Sequence, residues 1–170
     1  MGVQLRTLEG RPHYVAPVVM LTVGVHAGSH GPVYYAAGVL ADSAPLWNGR
    51  PVVAPPNNDH DRMAGDPEVF DGQRIGTLFN TGFDGRRLTA EAWIDAERVG
   101  RVAPRVRDAL AAGRVLEVST GMVGELADGA VANGAGYAVP VARLYPDHLA
   151  VLPGGVGACS IAAGCGLLRV

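Results

Sequence analysis

Apolar side chains along this chain recur at two spacings, and the shorter one dominates. From His13 to Val25 the segment HYVAPVVMLTVGV is nearly continuous in apolar, β-branched residues, which predicts a buried strand bordered by a turn. HAGSHGP (26–32) then reads as a loop, and Val33 to Leu40 fits a short amphipathic helix or a strand equally well. A turn at Asn48-Gly49 precedes a brief apolar strand, Val52 to Ala54. The Pro55-Pro56-Asn57-Asn58 stretch after it cannot continue a sheet and reads as surface loop.

IGTLFNTGF (75–83) and LTAEAWID (88–95) alternate apolar and polar positions on either side of Asp84-Gly85, the pattern of a β-hairpin. The spacing then changes. Val99, Val102, Val106 and Leu110 recur at helical intervals in AERVGRVAPRVRDALAAG (96–113), with Asp95 placed to cap the start, Pro104 to divide the helix and Gly113 to stop it. RVLEVSTGMVGEL (114–126) returns to period two, with Leu116, Val118, Thr120 and Met122 on one face and Glu117, Ser119 and Gly121 on the other. Two further strands, YAVPVARLY (137–145) and HLAVLP (148–153), precede a glycine-rich end. Five or six strands and one substantial helix, ordered strands, helix, strands, predict a mainly β (α+β) fold: a barrel or packed sheet with peripheral helices, in one domain over residues 1–170.

Composition narrows the function classes. The 24 Gly and 12 Pro among 170 residues favour a turn-rich β architecture. Apolar runs fall short of a membrane span, and a net charge of −2 gives no basic footprint, so neither a membrane nor a nucleic acid is expected as partner. All fourteen cationic side chains are arginine, which excludes lysine-based catalysis. MGVQLRTLEGRPHY at the start lacks the apolar core and cleavage site of a secretory signal, so a cytosolic setting is expected. No Walker A loop or dinucleotide fingerprint is present, because LPGGVGACSIAAGCG opens no convincing helix, and no cofactor is expected.

Serine is scarce: Ser29, Ser43, Ser119 and Ser160 are the only four. Ser119 stands out as a nucleophile because it lies on a predicted strand and is followed at Gly121 by a residue that lets a substrate backbone approach. A serine nucleophile needs a neutral imidazole to take its proton and a third group to orient that imidazole. His60, flanked by Asp59 and Asp61, and His148, after Asp147, are the candidates; His26 and His30 flank Ser29 in HAGSH at a spacing that reads as loop geometry. Asp59 and Asp61 are expected to raise the His60 pKa. A metal set of His60 with Asp59 and Asp61, or of His148 with Cys159 and Cys165, matches no recognised spacing, so no metal is expected. Cys159 and Cys165, six apart, are open to a disulfide, half a metal site or two buried thiols, and the burial habit of free cysteine together with the cytosolic setting favours reduced thiols.

GVHAGSHGPVYY, WNGRPVV, DPEVF, IGTLFNTGF, LTAEAWID, LEVSTGM, PDHLAVLP and GACSIAAGCG, in this order over about residues 8 to 166, resemble the prohead-protease-like proteins of tailed bacteriophages, which are themselves similar to the herpesvirus assemblins. The resemblance implies a serine endopeptidase of the Ser-His-His or Ser-His-Glu kind on a closed β-barrel with surrounding helices. Its implied substrates are phage scaffold and major capsid precursors, cleaved inside the assembling prohead in the host cytoplasm; a homodimer is allowed but not required. The EVSTG motif carries the nucleophile over to Ser119, and PDHLA carries the third member over to His148. Relatives hold the base in a His-Pro just after the strand that is PVV here, where this chain has Ala54-Pro55-Pro56, so His60 is the nearby substitute. The alternative implied by that departure is a catalytically inactive, protease-like structural or capsid-assembly protein.

Overall fold

Local chemistry sets the boundaries of most elements. The structure, a computed structural model, describes residues 2–127 and 138–170. Strands β1 (Gln4–Leu8), β2 (Arg11–Thr22), β3 (Gly24–Gly28) and β4 (Gly31–Tyr35) lead to helix α1 (Ala37–Ser43), a 3₁₀ turn at Ala44–Trp47 and strand β5 (Pro51–Val53). A second 3₁₀ turn, Pro56–Asn58, and helix α2 (Pro67–Gly72) precede β6 (Arg74–Phe83) and β7 (Arg87–Asp95). Helices α3 (Ala96–Val102) and α4 (Pro104–Ala111) follow, then β8 (Glu117–Leu126), β9 (Val139–Leu152) and β10 (Gly166–Leu167).

The β6–β7 hairpin turns at Asp84-Gly85 as its sequence predicts, with Gly85 at φ +97° and the Asp84 carboxylate accepting from the backbone of Arg86 and Arg87. Asp95 caps α3 by accepting from the amides of Glu97 and Arg98 at 3.0 and 2.9 Å, Pro104 separates α3 from α4, and Gly113 follows the helix at φ +63°. The apolar run in β2 is buried on both faces at Val18, Val19, Met20 and Leu21, all part of the main core, while its edges pair with β1, β10 and β7.

Three expectations are corrected, and one open assignment is resolved. HAGSHGP is not a simple loop: β3 and β4 extend through it as a hairpin closed at Ser29-His30. The undecided segment Val33 to Leu40 is both elements, β4 ending at Tyr35 and α1 starting at Ala37. YAVPVARLY and HLAVLP are not two strands but, from Val139 on, one 14-residue strand, β9; Tyr137 lies outside the described residues. Pro146, which lies between the two predicted segments, sits at a β-bulge, where the ladder does not need its missing N–H. Ten strands are described rather than five or six, the extra ones being short or edge elements such as β1 and β10 with weak apolar patterns.

Strand pairing runs β1-β2-β7-β6-β5-β9-β4-β3, with β10 attached to β2 and β8 to β9; β5–β9 and β4–β9 are parallel and the other pairs antiparallel. The mainly β, α+β class holds, but the sheet is open and the expected closed barrel is not found. Between the β10 and β8 branches there is only an isolated bridge, Leu116 with Leu167, and a two-residue β10 is too short to build a ladder there. The core gathers around the fully buried Trp47, Leu78, Ile94 and Leu149, with β9 passing through its middle. No helix among the described residues is long and apolar enough to cross a membrane.

Candidate active site

The ladder between β8 and β9 positions the first two candidate residues. Ser119 pairs with Ala150 and Gly121 with His148, so Ser119 and His148 project from one face, two rungs apart. His148 is only 2% exposed, and its ring occupies the space a side chain at residue 121 would need: a Cβ on Gly121 would lie 2.1 Å from His148 Cε1. Gly121 therefore serves to seat the histidine, not to admit a substrate backbone.

His60 reaches the same place from the loop after β5. Asn57 and Asn58 both adopt left-handed backbone, at φ +59° each, a conformation asparagine tolerates better than most residues, and the chain turns back sharply there. At the far end the loop is tied down by the Ala64 amide, which donates to Asp147 Oδ2 at 2.7 Å. Between these two anchors His60 packs edge-on to His148, with ring centroids 5.3 Å apart, and its Nδ1 lies 3.1 Å from His148 Nε2. His148 Nδ1 in turn lies 2.6 Å from Asp147 Oδ2. His60 and Ser119 line one cavity of about 310 Å³, and the buried His148 packs against His60. Ser119 is 9% exposed, and its hydroxyl has no hydrogen-bond partner among the described residues, which leaves it free to give up its proton.

Hydrogen-bond chemistry assigns the protons along this row. A carboxylate only accepts, so His148 donates from Nδ1 to Asp147; in the neutral ring its Nε2 is then the acceptor for Nδ1–H of His60. Nε2 of His60 is left with its lone pair. The pKa of His60 is lowered, not raised: burial disfavours its charged form most, the neighbouring His148 adds to that, and the opposing pull of Asp61 and Asp59 is too weak because both acids are solvent-exposed. This overturns the expectation from the flanking aspartates.

The remaining candidates lie elsewhere or do something else. His26 is buried and donates to the Thr22 carbonyl at 2.8 Å, a structural role, while Ser29 and His30 sit at the β3–β4 turn in the cavity wall. Cys159 and Cys165 are not free thiols but a disulfide: the turn through Ser160–Gly164 brings their Cα atoms to 5.6 Å, within bridging range. The bridge removes both sulfurs as ligands to a metal near His148, and no group of three metal-binding side chains occurs among the described residues. The bridged loop is pinned to β8 by Glu117, whose carboxylate accepts from the Gly157 and Ile161 amides, and it carries Ala158 into the cavity wall.

Asp147 is the residue sequence reasoning left out of the site. Strict alternation in a strand sends neighbours to opposite faces, which separates Asp147 from His148. The available signal was Pro146, since proline inside a strand marks an edge or a bulge. The chain matches no family model, no curated protein and no solved structure.

The packing of His148 on Gly121 has a measurable consequence. Gly121→Ala should lower the free energy of unfolding by about 1–3 kcal/mol, because its Cβ has no room without displacing a buried ring. Gly124→Ala, where a Cβ meets only ordinary contacts at 3.8–3.9 Å, should change it by less than about 1 kcal/mol. Urea denaturation of the two variants distinguishes them, and equal stability would contradict the packing described.

Proposed function

We propose that this chain is a serine endopeptidase of the prohead-protease-like kind, acting on phage scaffold and major capsid precursors during head maturation. The observation that carries the reading is the hydrogen bond between His60 and His148, with His60 and Ser119 on the wall of one cavity. An inactive structural relative has no need of a buried histidine held against a second one on a loop that turns back through two left-handed asparagines. The motif order read from the sequence supports the same class.

In the proposed reaction Nε2 of His60 takes the Ser119 proton as Oγ attacks the scissile carbonyl carbon. The oxyanion of the tetrahedral intermediate is met by backbone amides, which the glycine-rich loop bringing Ala158 to the cavity wall can supply. Imidazolium His60 then passes its proton to the leaving amine as the peptide bond breaks, leaving an acyl-serine; water, deprotonated by the same imidazole, releases the acid. His148 accepts from His60 throughout and shares the charge that forms there. A neutral histidine orients less strongly than a carboxylate in direct contact, so turnover is slow, as a cleavage needed once per assembly allows. Leu21, Val33, Tyr35, Met122, Val141 and Leu144 give the cavity an apolar wall, which fits an apolar side chain beside the cleaved bond.

Coexpression with a scaffold or capsid precursor tests the assignment. Ser119→Ala should abolish processing with the fold intact, and His148→Ala should keep a residual activity above that of Ser119→Ala; undiminished processing by Ser119→Ala would end the proposal. The pH profile carries a second test. A lowered His60 pKa keeps the base neutral to lower pH, so activity should persist below the ordinary imidazole value of about 6.5 and fall only as pH drops through the lowered one. An acid limb of kcat/KM above that value would exclude His60 as the base.

A further inference from the structure

We propose that Asp147 is a positioning residue of this site: a β-bulge turns its carboxylate onto His148, and from there it fixes the tautomers of both imidazoles and anchors the loop that carries His60. The catalytic consequence rests on the protease reading above; the tautomer assignment does not.

Register supplies the first half of the argument. Gly121 pairs with His148 and the next residue, Met122, pairs with Pro146, so Asp147 is an extra residue in β9 with no partner on β8. A bulge of this kind re-aims side chains out of the strict alternation of the strand. The result is that two neighbouring residues meet, Asp147 Oδ2 lying 2.6 Å from His148 Nδ1.

The same oxygen supplies the second half. Asp147 Oδ2 also accepts from the Ala64 amide at 2.7 Å, four residues beyond His60. One carboxylate atom therefore holds both the third member of the site and the loop that delivers its base. Because an ionised carboxylate offers no proton, Nδ1 of His148 must carry one, Nε2 of His148 must accept, and Nδ1 of His60 must donate. Only this arrangement leaves a lone pair on Nε2 of His60. The charged and titratable groups around the pair are Asp59 and Asp61 on the loop, His148 on β9 and Asp147 itself, and none but Asp147 accepts a hydrogen bond from His148 Nδ1.

Asp147→Ala is the informative change. It removes the acceptor of His148 Nδ1–H, so the proton is no longer held there and the other neutral tautomer, with Nε2 protonated, becomes populated. Nδ1 of His60 then has to accept, and its proton moves to Nε2, where it blocks base catalysis. Imidazole ¹⁵N chemical shifts, measured at alkaline pH, should report Nδ1–H on His60 and His148 in the wild type and Nε2–H on His148 in Asp147→Ala. In the cleavage assay kcat should fall by about 10²- to 10⁴-fold, the scale set by loss of the orienting carboxylate in a Ser-His-Asp triad, with KM little changed. Nε2–H on His148 in the wild type, or unchanged tautomers in Asp147→Ala, would overturn the proposal. The wild-type spectrum decides alone if the variant does not fold. Absence of cleavage by the wild type, with the expected tautomers, would count against the protease reading and not against this one.

Discussion

The site depends on one bulged residue of β9, Asp147, which has no partner on β8. In an uninterrupted ladder Asp147 and His148 would face opposite sides of the sheet, the carboxylate would be lost to the imidazole, and Ala64 would have no acceptor on β9. With the bulge, one oxygen joins a strand histidine to the loop bearing a second histidine. The first lies in the core on a strand whose following residues, Leu149, Ala150 and Val151, are fully buried, so the reference point for the whole row of groups is rigid. Gly121 completes the seat by leaving out the one Cβ that the ring of His148 would meet.

Burial then sets the electrostatics. Two imidazoles in contact cannot both be charged cheaply, and desolvation at His60 acts in the same direction as that repulsion. The exposed acids beside His60 pull the other way with their charges dispersed into solvent. A neutral pair tied at one end to a carboxylate has one arrangement of protons that satisfies every bond, and that arrangement presents a lone pair from His60. Partly satisfied polar rows in a buried setting are costly, which is why the loop anchor at Ala64 and the seat at Gly121 matter as much as the three groups themselves.

Much of this was legible in the sequence where one local rule decided the outcome. Asp84-Gly85, the Asp95 cap, Pro104 and the left-handed Asn57 and Asn58 each behave as their side chains dictate. Ser119, His60 and His148 were legible as candidates because serines and histidines are few and their motif contexts distinctive. What could not be read is non-local. The segments 137–145 and 148–153 read as two strands because nothing within them shows that β8 pairs across Pro146. The pull on His60 was misjudged because its sequence neighbours are acidic while its burial and its contact with a residue 88 positions away decide the sign. The disulfide was missed for a similar reason: spacing alone does not reveal the turn that brings Cys159 and Cys165 together.

The central claim is that His60 acts as base toward Ser119, and covalent trapping tests it most directly. A serine-directed phosphonate incubated with the purified protein, followed by intact-mass and peptide analysis, should add one phosphonyl group at Ser119, with a rate that collapses in His60→Ala. No adduct, an adduct at another residue, or labelling of Ser119 at an unchanged rate in His60→Ala would contradict the account.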